Sequence, residues 1–128
     1  MTTNHVFTRL TVAARILLIV AIVFTSYEAT IKTPVSVSVD NSDKFMHALA
    51  FFSLALLSDF AFPVKGFGVT KIALLVSYGA LIEFVQSFLP WRSADVFDLL
   101  ADCFGVAAYA GFIPLLKLVP MLRERWQF

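Results

Sequence analysis

Four long apolar stretches constrain the fold of this 128-residue chain more than any other feature. They cover residues 10–27, 45–62, 72–89 and 95–119. About 20 mostly apolar residues in a helix cross the roughly 30 Å of hydrocarbon in a bilayer. The stretches are continuous, whereas the strands of a membrane barrel alternate apolar and polar residues. The sequence therefore predicts an all-α membrane protein, a bundle of four transmembrane helices in a single domain over residues 1–128.

The composition excludes the main classes of soluble protein and predicts that the chain is in contact with a lipid bilayer. Hydrophobic residues make up 59% of the chain and charged residues 15%, whereas soluble domains are about 45–50% apolar and about 25% charged. A net charge of +1 provides no basic surface for a nucleic acid. The lone cysteine, Cys103, excludes an intrachain disulfide and a thiolate metal cluster.

Polar and helix-breaking residues between the stretches predict the helix ends. Ser93 is expected to cap the fourth helix, with Asp95 in its first turn. In the longest loop, residues 35–39 alternate valine and serine, a period typical of extended chain. This segment is interpreted either as a flap lying on the membrane surface or as a plain linker.

The distribution of basic residues predicts the orientation. Seven lie on one side of the predicted bundle: Arg9, Arg15, Lys65, Lys71, Lys117, Arg123 and Arg125. Three lie on the other side: Lys32, Lys44 and Arg92. Lysine and arginine are enriched in the cytoplasmic loops of membrane proteins. Both termini are therefore predicted to be cytoplasmic.

Ionisable residues lie at similar depths in three of the predicted helices. At about 1.5 Å per helical residue, His47, Glu83 and Asp98 lie roughly 7–9 Å below the outer face, and Asp102 lies roughly 14 Å below it. Asp98 and Asp102 share one helix face with Asp95 because they are spaced by three and four residues. A charge at the bilayer centre costs about 2.5–3.5 kcal/mol on insertion scales. These side chains are therefore expected to face one another across a polar pocket open to the outside.

The pocket is predicted to bind a ligand through eight residues: Asp43, Lys44, His47, Glu83, Gln86, Arg92, Asp98 and Asp102. The alternative is an interhelical polar clasp with no ligand. Five carboxylates, counting Asp95, stand against the basic residues Lys44 and Arg92. A clasp built only for stability is expected to neutralise itself. The acidic excess favours a site that a cation or amine enters, or carboxyls that are protonated.

Three motifs resemble a known family in their order and spacing. They are Asp43-Lys44-x-x-His47, Glu83-x-x-Gln86-x-x-x-Pro90-x-Arg92 and Asp98-x-x-x-Asp102-x-x-Gly105. Together they resemble the VanZ-like family of small bacterial membrane proteins. The resemblance implies a cell-envelope role in the bacterial cytoplasmic (inner) membrane, and the founding member is linked to resistance to the glycopeptide teicoplanin. The family usually has asparagine where this chain has Asp102.

The first functional hypothesis is a protein that binds or handles a lipid head group, an envelope precursor or an amine-bearing amphiphile. Arg92 would bind a phosphate or carboxylate through its planar guanidinium. Asp98 and Glu83 would bind an amine. An anionic lipid would need a bridging divalent cation, because the acidic excess has the wrong sign for it.

Two other hypotheses remain open. A membrane enzyme would use His47 as a base oriented by Asp43, with Glu83 and Asp98 around a hard cation. No serine or cysteine nucleophile motif is visible, and one pocket histidine is too few for a typical zinc site, so no metal site is predicted. A small proton-coupled transporter would use Glu83 as its buried acid. The catalytic residues and the cofactor stay unassigned.

Overall fold

The computed structural model describes residues 2–32 and 42–126. Its helices are α1 (Thr2–Thr30), α2 (Ser42–Ala61), α3 (Val69–Gln86) and α4 (Val96–Leu116), followed by a short 3-10 helix at Arg123–Trp126. Each α-helix is long and apolar enough to cross a membrane, and the described residues contain no strand. The predicted all-α bundle of four membrane-spanning helices is confirmed. The proposed flap at residues 35–39 lies outside the described residues.

The ends of α3 and α4 differ from the predicted spans. The third span was expected at residues 72–89, but α3 begins at Val69 and ends at Gln86. The prediction that Ser93 caps the fourth helix was wrong. Asp95 is the N-cap of α4, and its side chain accepts a hydrogen bond of 2.9 Å from the Phe97 N–H. Aspartate is as effective an N-cap as serine, and here it stands directly before the first helical residue.

Helix α2 lies at the centre of the bundle and packs most extensively against α4 and α1. The main core contains seven buried residues from α2, α3 and α4: Phe51, Leu54, Ala55, Leu75, Ile82, Val106 and Tyr109. Along α1, by contrast, large apolar side chains such as Ile16, Ile19 and Val23 are more than half exposed. An apolar surface of this kind suits contact with lipid chains.

Two glycines allow α4 to approach its neighbours closely. A Cβ atom at Gly105 would overlap the carbonyl oxygen of Ala48 in α2. A Cβ atom at Gly79 in α3 would lie only 2.9 Å from Oδ2 of Asp102. Small residues at such crossings let helix backbones come together in membranes. The polar residues beside these glycines are therefore brought within contact distance of one another.

The middle of α1 and the end of the described chain meet where α2 ends. Arg15, halfway along α1, donates a hydrogen bond of 2.9 Å to the carbonyl oxygen of Ala61, at the end of α2. Trp126 packs edge-on against Phe60, with 5.6 Å between ring centroids. The N-terminal half of α1 and the 3-10 helix therefore lie on the side of the bundle where α2 ends. That this end is cytoplasmic stays a prediction from the basic residues.

Candidate functional site

At the opposite end of the bundle, acidic and basic side chains from three helices converge. We call this group the acidic cluster: Asp43, Lys44, His47, Glu83, Asp95, Asp98 and Asp102. It lies where α2 and α4 begin and α3 ends. The cluster contains six of the eight residues predicted to bind a ligand, and Asp95 in addition.

Lys44 lies at the centre of the exposed part of the acidic cluster. Its Nζ atom lies 2.9 Å from Asp95 Oδ2, 2.5 Å from Asp98 Oδ1 and 3.0 Å from Asp43 Oδ2. The Lys44 ammonium, together with the Phe97 N–H, holds the pKa of the Asp95 carboxyl below its usual range. One ammonium group with three N–H donors thus binds three carboxylates, and it has no donor left for Glu83 or Asp102.

His47 lies deeper and pairs with α4. Its Nδ1 atom is 2.8 Å from Asp102 Oδ1, and its Nε2 atom is 3.8 Å from Asp98 Oδ2. The enzyme hypothesis paired His47 with Asp43, one turn earlier in α2, but the side chain of Asp43 is 64% exposed and contacts Lys44. The carboxylate that orients the imidazole is that of Asp102, because Gly105 allows α4 to approach this face of α2.

Two carboxylate oxygens in this deeper part are buried without a hydrogen-bond donor. Oε2 of Glu83 accepts a bond of 2.9 Å from the Asp95 N–H, but Oε1 of the same residue has no partner among the described residues. Oδ2 of Asp102 is likewise buried and unpaired. His47, Glu83 and Asp102 each offer one potential metal-ligand atom, and these three atoms lie within 4.8 Å of one another.

The remaining two predicted residues, Gln86 and Arg92, contact α1. Gln86 Nε2 donates a bond of 3.0 Å to the Ala29 carbonyl oxygen, and Arg92 donates through Nη2 to the carbonyl oxygen of Glu28. Trp91 Nε1 donates a hydrogen bond of 2.9 Å to the carbonyl oxygen of Thr30, the last residue of α1. The last carbonyls of a helix lack partners within the helix, and a cation there is favoured by the helix dipole. In the structure these residues therefore cap α1.

The sequence did not predict a second polar group, which lies at the end of the bundle where α2 ends. We call it the Asp59 cluster: Asp59, Lys71, Tyr109 and Arg125, all buried. Asp59 Oδ1 accepts from Lys71 at 3.1 Å and from Arg125, and its Oδ2 accepts from the Tyr109 hydroxyl at 2.5 Å. From the sequence, Lys71 and Arg125 serve only to predict the orientation of the bundle. The feature of the sequence that could have indicated this cluster is Asp59, an acidic residue within the second apolar stretch.

The two basic side chains also donate hydrogen bonds to backbone carbonyls in the last turn of α2 and just beyond it. Lys71 Nζ donates to the Phe62 and Lys65 carbonyls at 2.9 Å and 2.7 Å. Arg125 donates to the Asp59, Pro63 and Lys65 carbonyls at 2.6 Å, 2.9 Å and 2.9 Å. Each polar side-chain atom of the Asp59 cluster thus has a partner. The cluster has the geometry of a closed structural clasp.

Comparison with known proteins places the chain among membrane proteins of one family. The family model described as VanZ/LLP1 matches residues 2–118. A protein of Schizosaccharomyces pombe, described as uncharacterized, is 39% identical over 67 residues. That match covers 50% of this chain and 41% of the yeast protein, so the chain spans about two fifths of that relative's length. No solved structure matches.

Proposed function

The chain belongs to the VanZ/LLP1 family, and from this premise we propose that it binds the amine head group of an amphiphile in the acidic cluster. The observation that carries the proposal is the charge of the cluster, in which the ammonium of Lys44 faces Asp43, Asp95 and Asp98. Carboxylates brought out of bulk water are disfavoured unless cations pair with them. A second positively charged donor entering beside Lys44 would compensate part of this acidic excess.

The charge of the acidic cluster supports a cationic ligand. The cluster combines five carboxylates with one ammonium, that of Lys44. The helix N-termini of α2 and α4 stabilise Asp43, Asp95 and Asp98, which lie at the cap or in the first turn. Glu83 instead lies near the C-terminus of α3, where the helix dipole disfavours an anion. Its carboxylate therefore depends on a cation more than the others do.

Arg92 is predicted to bind a phosphate or carboxylate. Its Nη2 atom donates to the Glu28 carbonyl, at the end of α1, and its buried Nε atom has no hydrogen-bond partner among the described residues. A phosphate entering the acidic cluster would meet an excess of carboxylates. Of the head groups considered, an amine is therefore favoured over an anionic one.

The surroundings of the cluster suit a ligand with an apolar chain. The side chains of Asp43 and Asp95 are 64% and 39% exposed, so the cluster is accessible from the end of the bundle. Large apolar side chains are exposed around it, including those of Phe45, Phe88 and Phe97. A polar opening with an apolar rim fits a ligand whose head enters the cluster and whose chain lies in lipid.

Dodecylamine tests the proposal, with dodecanol as the uncharged ligand of equal chain length. Binding is measured by titration calorimetry on protein in phosphatidylcholine nanodiscs, with empty nanodiscs subtracted. The wild type is expected to bind dodecylamine saturably and dodecanol not at all. Asp98→Asn is expected to weaken dodecylamine binding about tenfold, the loss of one charge-assisted hydrogen bond of roughly 1.5 kcal/mol. Equal binding of the two ligands, or an unchanged affinity in Asp98→Asn, would contradict the proposal.

The proposal includes a single domain over residues 1–128 and residence in a bacterial cytoplasmic membrane. The multi-pass character rests on four apolar helices and on family membership. A role in teicoplanin resistance, implied by the resemblance, stays a prediction. It is tested by the teicoplanin susceptibility of a sensitive strain that expresses the wild type or Asp98→Asn. Equal susceptibility of both strains and of the empty-vector strain would contradict it.

A further inference from the structure

We propose that His47, Glu83 and Asp102 form a binding site for one divalent transition-metal ion, of which Zn²⁺ and Mn²⁺ are the best candidates. One potential ligand atom from each residue lies within 4.8 Å of the other two. The three residues come from α2, α3 and α4, so the bundle itself assembles the site. The sequence did not predict it, because the ligands are far apart in the chain and only one is a histidine.

The buried oxygens point to a ligand independently of this grouping. Asp102 is 1% exposed, and its Oδ2 atom has no hydrogen-bond partner among the described residues. This oxygen is directed towards α3, where it lies beside Gly79. Glu83 follows one turn later in α3, and its unpaired Oε1 is buried too. Two unpaired carboxylate oxygens from adjacent helices are an arrangement that a shared cation would satisfy.

The ligand chemistry selects the class of metal. Imidazole nitrogen suits Zn²⁺ and other transition metals, whereas carboxylate oxygen suits Mn²⁺ and Zn²⁺ as well as Mg²⁺. Mg²⁺ and Ca²⁺ prefer all-oxygen sites, so one nitrogen with two carboxylates favours a transition metal over them. Metal–ligand bonds of about 2.0–2.2 Å allow ligand atoms to be at most about 4.4 Å apart. Binding would therefore draw the three side chains slightly together.

Residues around the three ligands would support the metal. His47 Nδ1 and Asp102 Oδ1 lie 2.8 Å apart, close enough for both atoms to bind one ion in place of their hydrogen bond. Metal-bound histidines usually donate their second ring N–H to a carboxylate, which fixes the tautomer. Asp98 Oδ2 lies 3.8 Å from Nε2 and is the carboxylate placed to accept this N–H.

The metal proposal rests on the proposed function in one respect, since both place a cation in the acidic cluster. They differ in the ligand and in its position. The amine is proposed to enter through the exposed part that surrounds Lys44, where Asp98 is the deepest carboxylate. The metal is proposed to bind below it, at the three residues that leave oxygens unpaired. Separate measurements of the two ligands can therefore contradict either proposal alone.

Titration of metal-free protein tests the site. Chelator-treated wild type in phosphatidylcholine nanodiscs is titrated with ZnCl₂, MnCl₂ or MgCl₂, and bound metal is counted by elemental analysis after desalting. One transition-metal ion per chain is expected, with Mg²⁺ binding more weakly than either. No stoichiometric binding of Zn²⁺ or Mn²⁺, or tighter binding of Mg²⁺, would overturn the proposal. Dodecylamine binding by the same metal-free sample reports on the proposed function separately.

Matched variants assign the ligands. Glu83→Gln and His47→Gln are expected to weaken the transition-metal affinity by at least about 100-fold. Loss of a residue that only supports a metal ligand weakens the affinity by about 10- to 100-fold, and loss of the ligand itself is expected to cost at least as much. Cys103→Ala is the control, because this cysteine lies next to Asp102 in the chain but is not among the three grouped residues. Its affinity is expected to stay within about twofold of wild type. Equal affinities in all variants, or an equal loss in the control, would overturn the assignment.

Wild-type protein alone provides a second test, which does not depend on the folding of a variant. X-ray absorption of the Zn²⁺-loaded protein is expected to show one imidazole among oxygen ligands and no sulfur. The lone cysteine of the chain, Cys103, is not among the three grouped residues. A zinc shell without imidazole, or one with sulfur, would overturn the proposal.

Discussion

The bundle has one polar cluster near each end, and the two differ in how their charges are satisfied. In the Asp59 cluster a single carboxylate accepts from Lys71, Tyr109 and Arg125, and the other donors reach backbone carbonyls. In the acidic cluster one ammonium binds three of the five carboxylates, and oxygens of the other two, Glu83 and Asp102, are buried without a donor among the described residues. A closed network gives stability, whereas an incomplete one is suited to binding.

The helix ends at each cluster account for part of this difference. The Asp59 cluster has one more basic than acidic side chain, and it lies at the C-terminal end of α2, where carbonyls favour cations. The acidic cluster lies at the N-terminal ends of α2 and α4, which favour anions. Glu83, near the end of α3, does not benefit from such an N-terminus. The two clusters thus follow the same electrostatic rule, and only the acidic cluster leaves part of its charge uncompensated.

The largest expected effect is that of Asp59→Asn. Removal of this carboxylate charge leaves Lys71 and Arg125 buried without an anion, and breaking a buried pair in this way costs about 3–5 kcal/mol. We expect the free energy of unfolding, measured by denaturant titration in mixed micelles, to fall by about that amount. The matched control is Asp43→Asn, an exposed acid of the other cluster, with an expected change within about 0.5 kcal/mol. Similar changes in both variants would remove the distinction between the two clusters.

Gly105→Ala tests the helix contact that holds the acidic cluster together. The added Cβ would overlap the Ala48 carbonyl, and such overpacking costs about 1–3 kcal/mol of unfolding free energy. Because His47 precedes Ala48, we also expect weaker metal binding in the titration above. Gly111→Ala is the control, since a Cβ there meets no atom within 4 Å. A Gly105→Ala protein as stable as wild type and Gly111→Ala would show that the contact is less close than described.

Asp102→Asn is expected to have the opposite sign from Asp59→Asn in metal-free protein. It removes a buried carboxylate with an unpaired oxygen and keeps an oxygen that accepts from His47. The free energy of unfolding should stay unchanged or rise by up to about 1 kcal/mol. The same denaturant titration measures it. A fall comparable to that of Asp59→Asn would mean that Asp102 is a structural residue like Asp59.

The smallest expected effect is a pH dependence at Asp95. Lys44 lowers the pKa of this carboxyl in the folded protein, so the ion pair stabilises the fold at pH values above the unfolded pKa, which is about 3.9. This contribution is lost as the pH falls through the folded pKa. Asp95→Asn keeps an N-cap oxygen but removes the charge. Between pH 6 and pH 3, the free energy of unfolding of this variant should therefore fall less than that of wild type. Parallel curves for the two proteins would contradict the pairing.

Much of the acidic cluster was predictable from spacing within single helices. Asp98 and Asp102 share one face of α4, and His47 and Glu83 were placed at a similar depth by counting residues. The pairings were not predictable in the same way. Gln86 and Arg92 fit the predicted pocket by spacing, yet they bind the last carbonyls of α1. Spacing along one helix does not indicate which neighbouring helix a side chain meets.

The sequence by itself determined four membrane-spanning helices and the level at which the ionisable groups lie, because helix length and rise are fixed by local geometry. Only the tertiary structure decided which charges meet. The contact at Gly105 sets the distance between α2 and α4, and with it the pairing of His47 with Asp102. The tertiary structure also brings Arg125, near the end of the chain, into contact with Asp59. Such partners depend on the rotation and separation of whole helices, which local sequence does not encode.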